Sequence, residues 1–220
     1  MNVMDIMNER IQRFNLRVMP NVKLSKGILN SEGFAFCALA DYYDVELIVE
    51  SGICNGGSTT ILGKYFTKIP LISMDLKTKM EAIVRTSIFH NITIINGDAH
   101  TLLSQIIDVF SDKRIAVLID GPKGVPAVSL AGKCFKNDNV KVVGIHDLFR
   151  SLYGKIKQDR TVFDGLKVNK FITDDDDFVK DFGYLDVEND GSPFKKHDKY
   201  CSDRYKGYGP SIGFMLKEIN

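Results

Sequence analysis

The chain of 220 residues has almost no net charge: 29 Lys and Arg against 28 Asp and Glu leave +1. With no basic field to draw in a phosphate backbone, general nucleic-acid binding is not expected. Long apolar runs are missing too. Stretches such as Ile115 to Ile119 fall far short of the roughly 20 residues that cross a bilayer, so no membrane association is expected. The segment MNVMDIMNERIQRF has no apolar block behind a basic start and does not read as a secretory signal. The 4 cysteines (Cys37, Cys54, Cys134, Cys201) are scattered, with no Cys-x-x-Cys pair. That disfavours a zinc site and fits a reducing, cytoplasmic setting. What is present, 44% hydrophobic and 26% charged residues, is the balance of an ordinary globular protein. The length suits one domain over 1–220.

Residues 1–45 read as a helical preface, with Ser31 as the expected N-cap of a helix running through SEGFAFCALADYY. Short β-branched runs then alternate with longer amphipathic stretches. The runs are Glu46–Glu50, Leu71–Met74, Ile92–Ile95, Ile115–Ile119 and Val140–Ile145. Continuous apolar strands separated by helices predict a parallel sheet covered on both faces. Right-handed crossovers make this a doubly wound, Rossmann-like α/β fold. Ser211–Leu216 reads as a closing, antiparallel C-terminal strand. Residues 151–209 change character and are assigned to a variable, acceptor-side region. Within them Asp174–Asp177 suits a solvated helix N-terminus.

The first strand runs into Glu50-Ser-Gly52-Ile-Cys-Asn-Gly56-Gly57-Ser58. Glycines at a strand-to-helix turn let backbone N–H groups approach a ligand without Cβ interference. The spacing is not the Gly-x-Gly-x-x-Gly of a dinucleotide fold, and no Gly-Lys-Ser/Thr follows to make a P-loop. Four further acids lie at strand ends: Asp75, Asp98, Asp120 and Asp147. In an open α/β sheet that edge is the ligand crevice.

Glu50-x-Gly52-x-x-x-Gly56-x-Ser58 resembles motif I of the class I S-adenosylmethionine-dependent methyltransferases, in the variant of the catechol and macrocin-type O-methyltransferases and their cephalosporin-hydroxylase-like relatives. The resemblance covers roughly residues 46–150. It implies S-adenosylmethionine as cofactor, held by Glu50, Gly52, Gly56 and Ser58, with Asp75 on the ribose hydroxyls. It also implies adenine contacts from Asp98, Ala99 and His100, with Asp120 at the same edge. The implied partner is a small-molecule acceptor of sugar or phenolic type, and a homodimer is left open.

In the metal-dependent members a strand-end acid binds a divalent cation, and a Lys three residues on deprotonates the acceptor. Asp120 and Lys123 match that pattern. Where those enzymes carry Asp-Asn, this chain reads His146-Asp147. Two readings follow: Asp120, His146 and Asp147 hold Mg²⁺ or another divalent cation, or the enzyme works without metal and His146 is the base. A Lys123 set near cationic partners is expected to have a lowered pKa. Tyr200, Tyr205 and Tyr208 are candidates for an acceptor wall, and Arg150, Lys155 and Arg160 for contacts to an anionic acceptor. An oxidoreductase of the hydroxylase-like or NAD type and a non-catalytic nucleoside-binding module remain as alternatives.

Overall fold

A computed structural model describes residues 2–21, 27–148, 158–186 and 210–218. Helices α1 (Val3–Arg17) and α2 (Asn30–Tyr42) precede β1 (Leu47–Ser51). Then come α3 (Gly57–Tyr65), β2 (Leu71–Asp75), α4 (Met80–Thr86), β3 (Ile92–Asn96), α5 (Ala99–Val109), β4 (Ile115–Ile119), α6 (Val125–Phe135) and β5 (Val140–Ile145). The chain closes with α7 (Gln158–Asp164), β6 (Asn169–Ile172), α8 (Asp176–Phe182) and β7 (Gly213–Leu216). The seven strands lie in the order β3-β2-β1-β4-β5-β7-β6. The β1–β5 pairings are parallel, and β7 is antiparallel to both of its neighbours.

The apolar runs explain the two covered faces. Successive strand side chains point to opposite sides. In β4, Ala116 and Leu118 enter the layer under α1, α2 and α3, where Phe14, Phe34 and Tyr65 are fully buried. Ile115, Val117 and Ile119 enter the other layer with Leu103 of α5 and Leu130 of α6. Each such fully buried aliphatic or aromatic side chain contributes about 1.5–3 kcal/mol. Among the described residues, no helix is long and apolar enough to cross a membrane.

Three expectations shift. Strand bounds move: the first three strands each end one residue later, at Ser51, Asp75 and Asn96, and the closing strand begins at Gly213 rather than Ser211. Ser31 is not the N-cap: α2 begins at Asn30, and Glu32 reaches back to accept the Leu29 N–H at 2.7 Å. Ser31 instead donates its N–H (2.8 Å) and hydroxyl (2.5 Å) to Asp186. Strand β6 was not anticipated and joins residues 169–172 to the sheet beside β7. The acid run behaves as read: Asp175 caps α8, accepting the N–H groups of Asp177 and Phe178.

The register sets up the site. Ser51, Ile119 and Ile145 are partners across β1, β4 and β5, and Gly213 of β7 pairs with Ile145. Gly52, Asp120, His146 and Ile212 are therefore the next residues beyond one sheet edge.

Candidate functional site

A cleft of about 500 Å³ opens at that edge. Gly52 and Cys54 line one side, Asp75, Asp98 and His100 the next, and Asp120, Lys123, His146 and Asp147 the far end. Ala99 is also in the wall. Glu50, Gly56 and Ser58 are not among the lining residues. Glu50 lies wholly buried beneath the loop, where its Oε2 accepts the hydroxyls of Thr59 (2.6 Å) and Ser73 (2.7 Å). Burial raises its pKa against the hydrogen bonds of Ser58, Thr59 and Ser73. Its place is that of a strut tying β1 and β2 to α3.

The loop has a second anchor. Asp75 Oδ2 accepts the N–H groups of Ile53 (3.0 Å) and Cys54 (3.2 Å). Asp98 caps α5 and accepts the His100 N–H at 3.0 Å while still facing the cleft. Asp75→Ala releases the loop and removes a carboxylate from the cleft wall. Loss of such charge-assisted bonds costs about 1.5–3 kcal/mol each, so affinity for a nucleoside ligand in this cleft should fall at least about tenfold. Isothermal titration of the variant checks this, and an unchanged dissociation constant would exclude Asp75 from ligand binding.

The far end holds a dense charge cluster. The His146 N–H donates to Ile119 O at 2.9 Å, and Asp147 takes a left-handed φ of 67°, which Asp tolerates better than most residues. Lys123 Nζ contacts Asp120 Oδ1, lies 2.7 Å from Asp147 Oδ2 and 3.3 Å from His146 Nδ1. His146 Nδ1 is 2.5 Å from Asp120 Oδ1, and its Nε2 is 3.2 Å from Glu32 Oε2. Burial by itself pushes the imidazole pKa down, but Asp120 and Glu32 outweigh it and raise His146 to about 10. Burial by itself raises Asp120, yet His146 and Lys123 hold it below its ordinary value.

The expectation of a lowered Lys123 pKa is overturned. Burial does act downward, but Asp120 and Asp147 raise the net value. The partners around the ammonium that matter most are carboxylates, so Lys123 stays charged and is no ready base. Arg160 is paired with Asp164 and Asp174 rather than held out for an acceptor. Arg150, Lys155, Tyr200, Tyr205 and Tyr208 lie outside the described residues.

Glu32 was missed. It sits on α2, far from His146 in sequence, and an acid in a helix carries no signal of its own beyond standing among otherwise apolar neighbours. Its Oε1 accepts the Ser211 N–H (2.7 Å) and hydroxyl (3.2 Å), so α2, β5 and the approach to β7 meet at one carboxylate.

Comparison with solved structures decides the fold. The O-methyltransferase TomG from Streptomyces achromogenes, involved in tomaymycin synthesis and in complex with SAM, aligns over 97% of this chain and 90% of its own, with 13% identity and a TM-score of 0.52. The fold is that of the S-adenosylmethionine-dependent O-methyltransferases. The O-methyltransferase from Bacillus cereus, in complex with SAH, aligns over 97% and 91% with 14% identity and a TM-score of 0.51. The SAH-bound methyltransferase PaMTH1 from Podospora anserina aligns over 97% and 88% with 10% identity and a TM-score of 0.50. No protein-family model and no curated protein sequence matches the chain. At these identities the likeness establishes the methyltransferase fold, and the chemistry has to be argued from the residues.

Proposed function

We propose that the protein is an S-adenosylmethionine-dependent methyltransferase acting on a hydroxyl of a small molecule of sugar or phenolic type. One observation carries this reading: a single cleft joins the Gly52–Cys54 loop and Asp75 at one end to the Asp120, Lys123, His146 and Asp147 cluster at the other. The residues fit the cofactor. About 500 Å³ lies within the usual range of small-molecule sites. The carboxylates of Asp75 and Asp98, both in the cleft wall, suit a ribose and a cationic nucleoside. Bound there, S-adenosylmethionine supplies an electrophilic methyl group.

The chain's own residues position and polarise the acceptor. Its hydroxyl oxygen lies against the charge cluster. The Lys123 ammonium, half-exposed on a flexible stem, donates toward the charge developing on that oxygen. A carboxylate oxygen of the cluster takes the proton. Asp120, His146 and Asp147 each offer a ligand atom within 4.8 Å of the others, a spacing one divalent cation can bridge. A cation on them would lower the acceptor's hydroxyl pKa.

Titration of the full chain with S-adenosylhomocysteine and with NAD tests the reading. S-adenosylhomocysteine should bind with a Kd of roughly 1–100 µM, in the range of ordinary enzyme substrates, and NAD should not bind. Binding of NAD alone would turn the assignment to an oxidoreductase.

A further inference from the structure

Glu32 is fully buried on α2, and its carboxylate is fixed before any ligand arrives. Leu29 N–H holds one oxygen at 2.7 Å, and Ser211 holds the other through its N–H and its hydroxyl. The first oxygen also receives His146 Nε2. A carboxylate on Nε2 fixes the ring plane and directs Nδ1 to the opposite side, where Asp120 and Asp147 converge. A carboxylate accepting one ring N–H while the other nitrogen faces a group of carboxylates is the usual arrangement behind a metal-ligating histidine. His146 is 4% exposed, so only Nδ1 can serve the cleft.

Nitrogen in the donor set has a chemical consequence. Mg²⁺ prefers oxygen ligands and gives up water reluctantly. Imidazole suits Zn²⁺, Fe²⁺ and similar borderline ions, while two carboxylates keep the site acceptable to Mn²⁺. We infer that Asp120, His146 and Asp147, with Glu32 positioning the imidazole, form a site for a nitrogen-accepting divalent transition cation in preference to Mg²⁺. This deepens the methyltransferase reading and rests on it for what the ion does. Lys123 is the chain's own competitor for the site, since its ammonium already bridges Asp120 and Asp147. The side chain is 49% exposed and has solvent to swing into. Cation binding then exchanges one positive charge for another, and the Nδ1 proton passes to water.

The test uses the metals alone on the full chain. Mn²⁺ bound to the wild type should show ¹⁴N coupling in its electron spin echo, and His146→Gln should abolish that coupling. Co²⁺ should compete out Mg²⁺, and His146→Asp, which restores an oxygen donor, should narrow the Co²⁺ over Mg²⁺ preference by about tenfold or more. Glu32→Gln should weaken Co²⁺ binding by about 10–100-fold, the usual loss when the group behind a ligating histidine is changed. Lys123→Gln should tighten Co²⁺ and Mg²⁺ alike. Bound Mn²⁺ without nitrogen coupling overturns the inference, and that measurement needs no variant to fold. So does a wild type that binds no divalent ion at millimolar concentration. If S-adenosylhomocysteine still binds in that case, the methyltransferase reading survives its failure. If S-adenosylhomocysteine binding is absent as well, both fall.

Discussion

Gly52→Ala should lose S-adenosylhomocysteine binding altogether, together with about 2–4 kcal/mol of folding stability. Gly52 has a φ of +89°, and a Cβ built there lies 2.5 Å from Gly121 N and 2.7 Å from the Asp120 carbonyl carbon. Both are backbone atoms that no side-chain rotation can move aside. The two strand ends are also stitched together: Asp120 N–H and Gly121 N–H donate to Ser51 O at 2.8 and 3.1 Å, and Gly52 N–H donates to Met74 O at 2.8 Å. Relief of the clash therefore has to push the β1 loop and the β4 loop apart. The first carries the cofactor end of the cleft, and the second carries Asp120 and Lys123. Urea unfolding and titration of the same preparation measure the two losses. A variant that unfolds at the wild-type midpoint and binds normally would show that this contact does not shape the site.

In chelated buffer the folded protein should lose stability as pH rises from about 6.5 towards 9, and His146→Gln should lack this part of the slope. His146 is raised from 6.5 to about 10 in the folded state. In that interval the native chain keeps a proton that the unfolded chain has released, so unfolding is favoured by rising pH. The stabilisation is complete below pH 6.5 and is lost on approach to pH 10. One such group gives a slope of at most about 1.4 kcal/mol per pH unit. Asp186, pushed by burial to about 7, slopes the same way at lower pH, and Cys134, raised by burial from 9 to about 11, does so at higher pH. The difference between wild type and His146→Gln from about pH 7.5 to 9 therefore isolates the imidazole. Equal slopes for the two proteins would mean that His146 is neutral in the fold.

The central strands were legible because they are buried on both faces, and such strands are written as unbroken apolar runs. Strand β6, Asn-Lys-Phe-Ile, was not legible: it is four residues long, begins polar and, among the described residues, lies at the sheet edge, with one side of its ladder unpaired. The strand-end acids were found because their place at one edge follows from topology alone. What each acid does there was harder to read. Asp75 and Asp98 spend part of their hydrogen bonding on the backbone of the loop and of α5, and Glu50 supports the loop from beneath. The direction of the Lys123 shift was misread because spacing along the chain does not reveal which charges meet the ammonium. Glu32 was invisible for a related reason: its tie to His146 arises only when α2 packs across the sheet edge.

The position of β7 between β5 and β6 constrains how the protein can be made. On a ribosome β6 is synthesised before β7, its one sheet neighbour among the described residues. At about 5–20 residues per second, β6 waits for some seconds without this partner. The five strands from β1 to β5 can assemble meanwhile, but β5 keeps an open edge until Gly213–Leu216 arrives and pairs on both sides at once. A chain stalled between residues 172 and 213 thus presents two sticky strand edges, and it is at this point in synthesis that a chaperone protecting extended segments has the most to do.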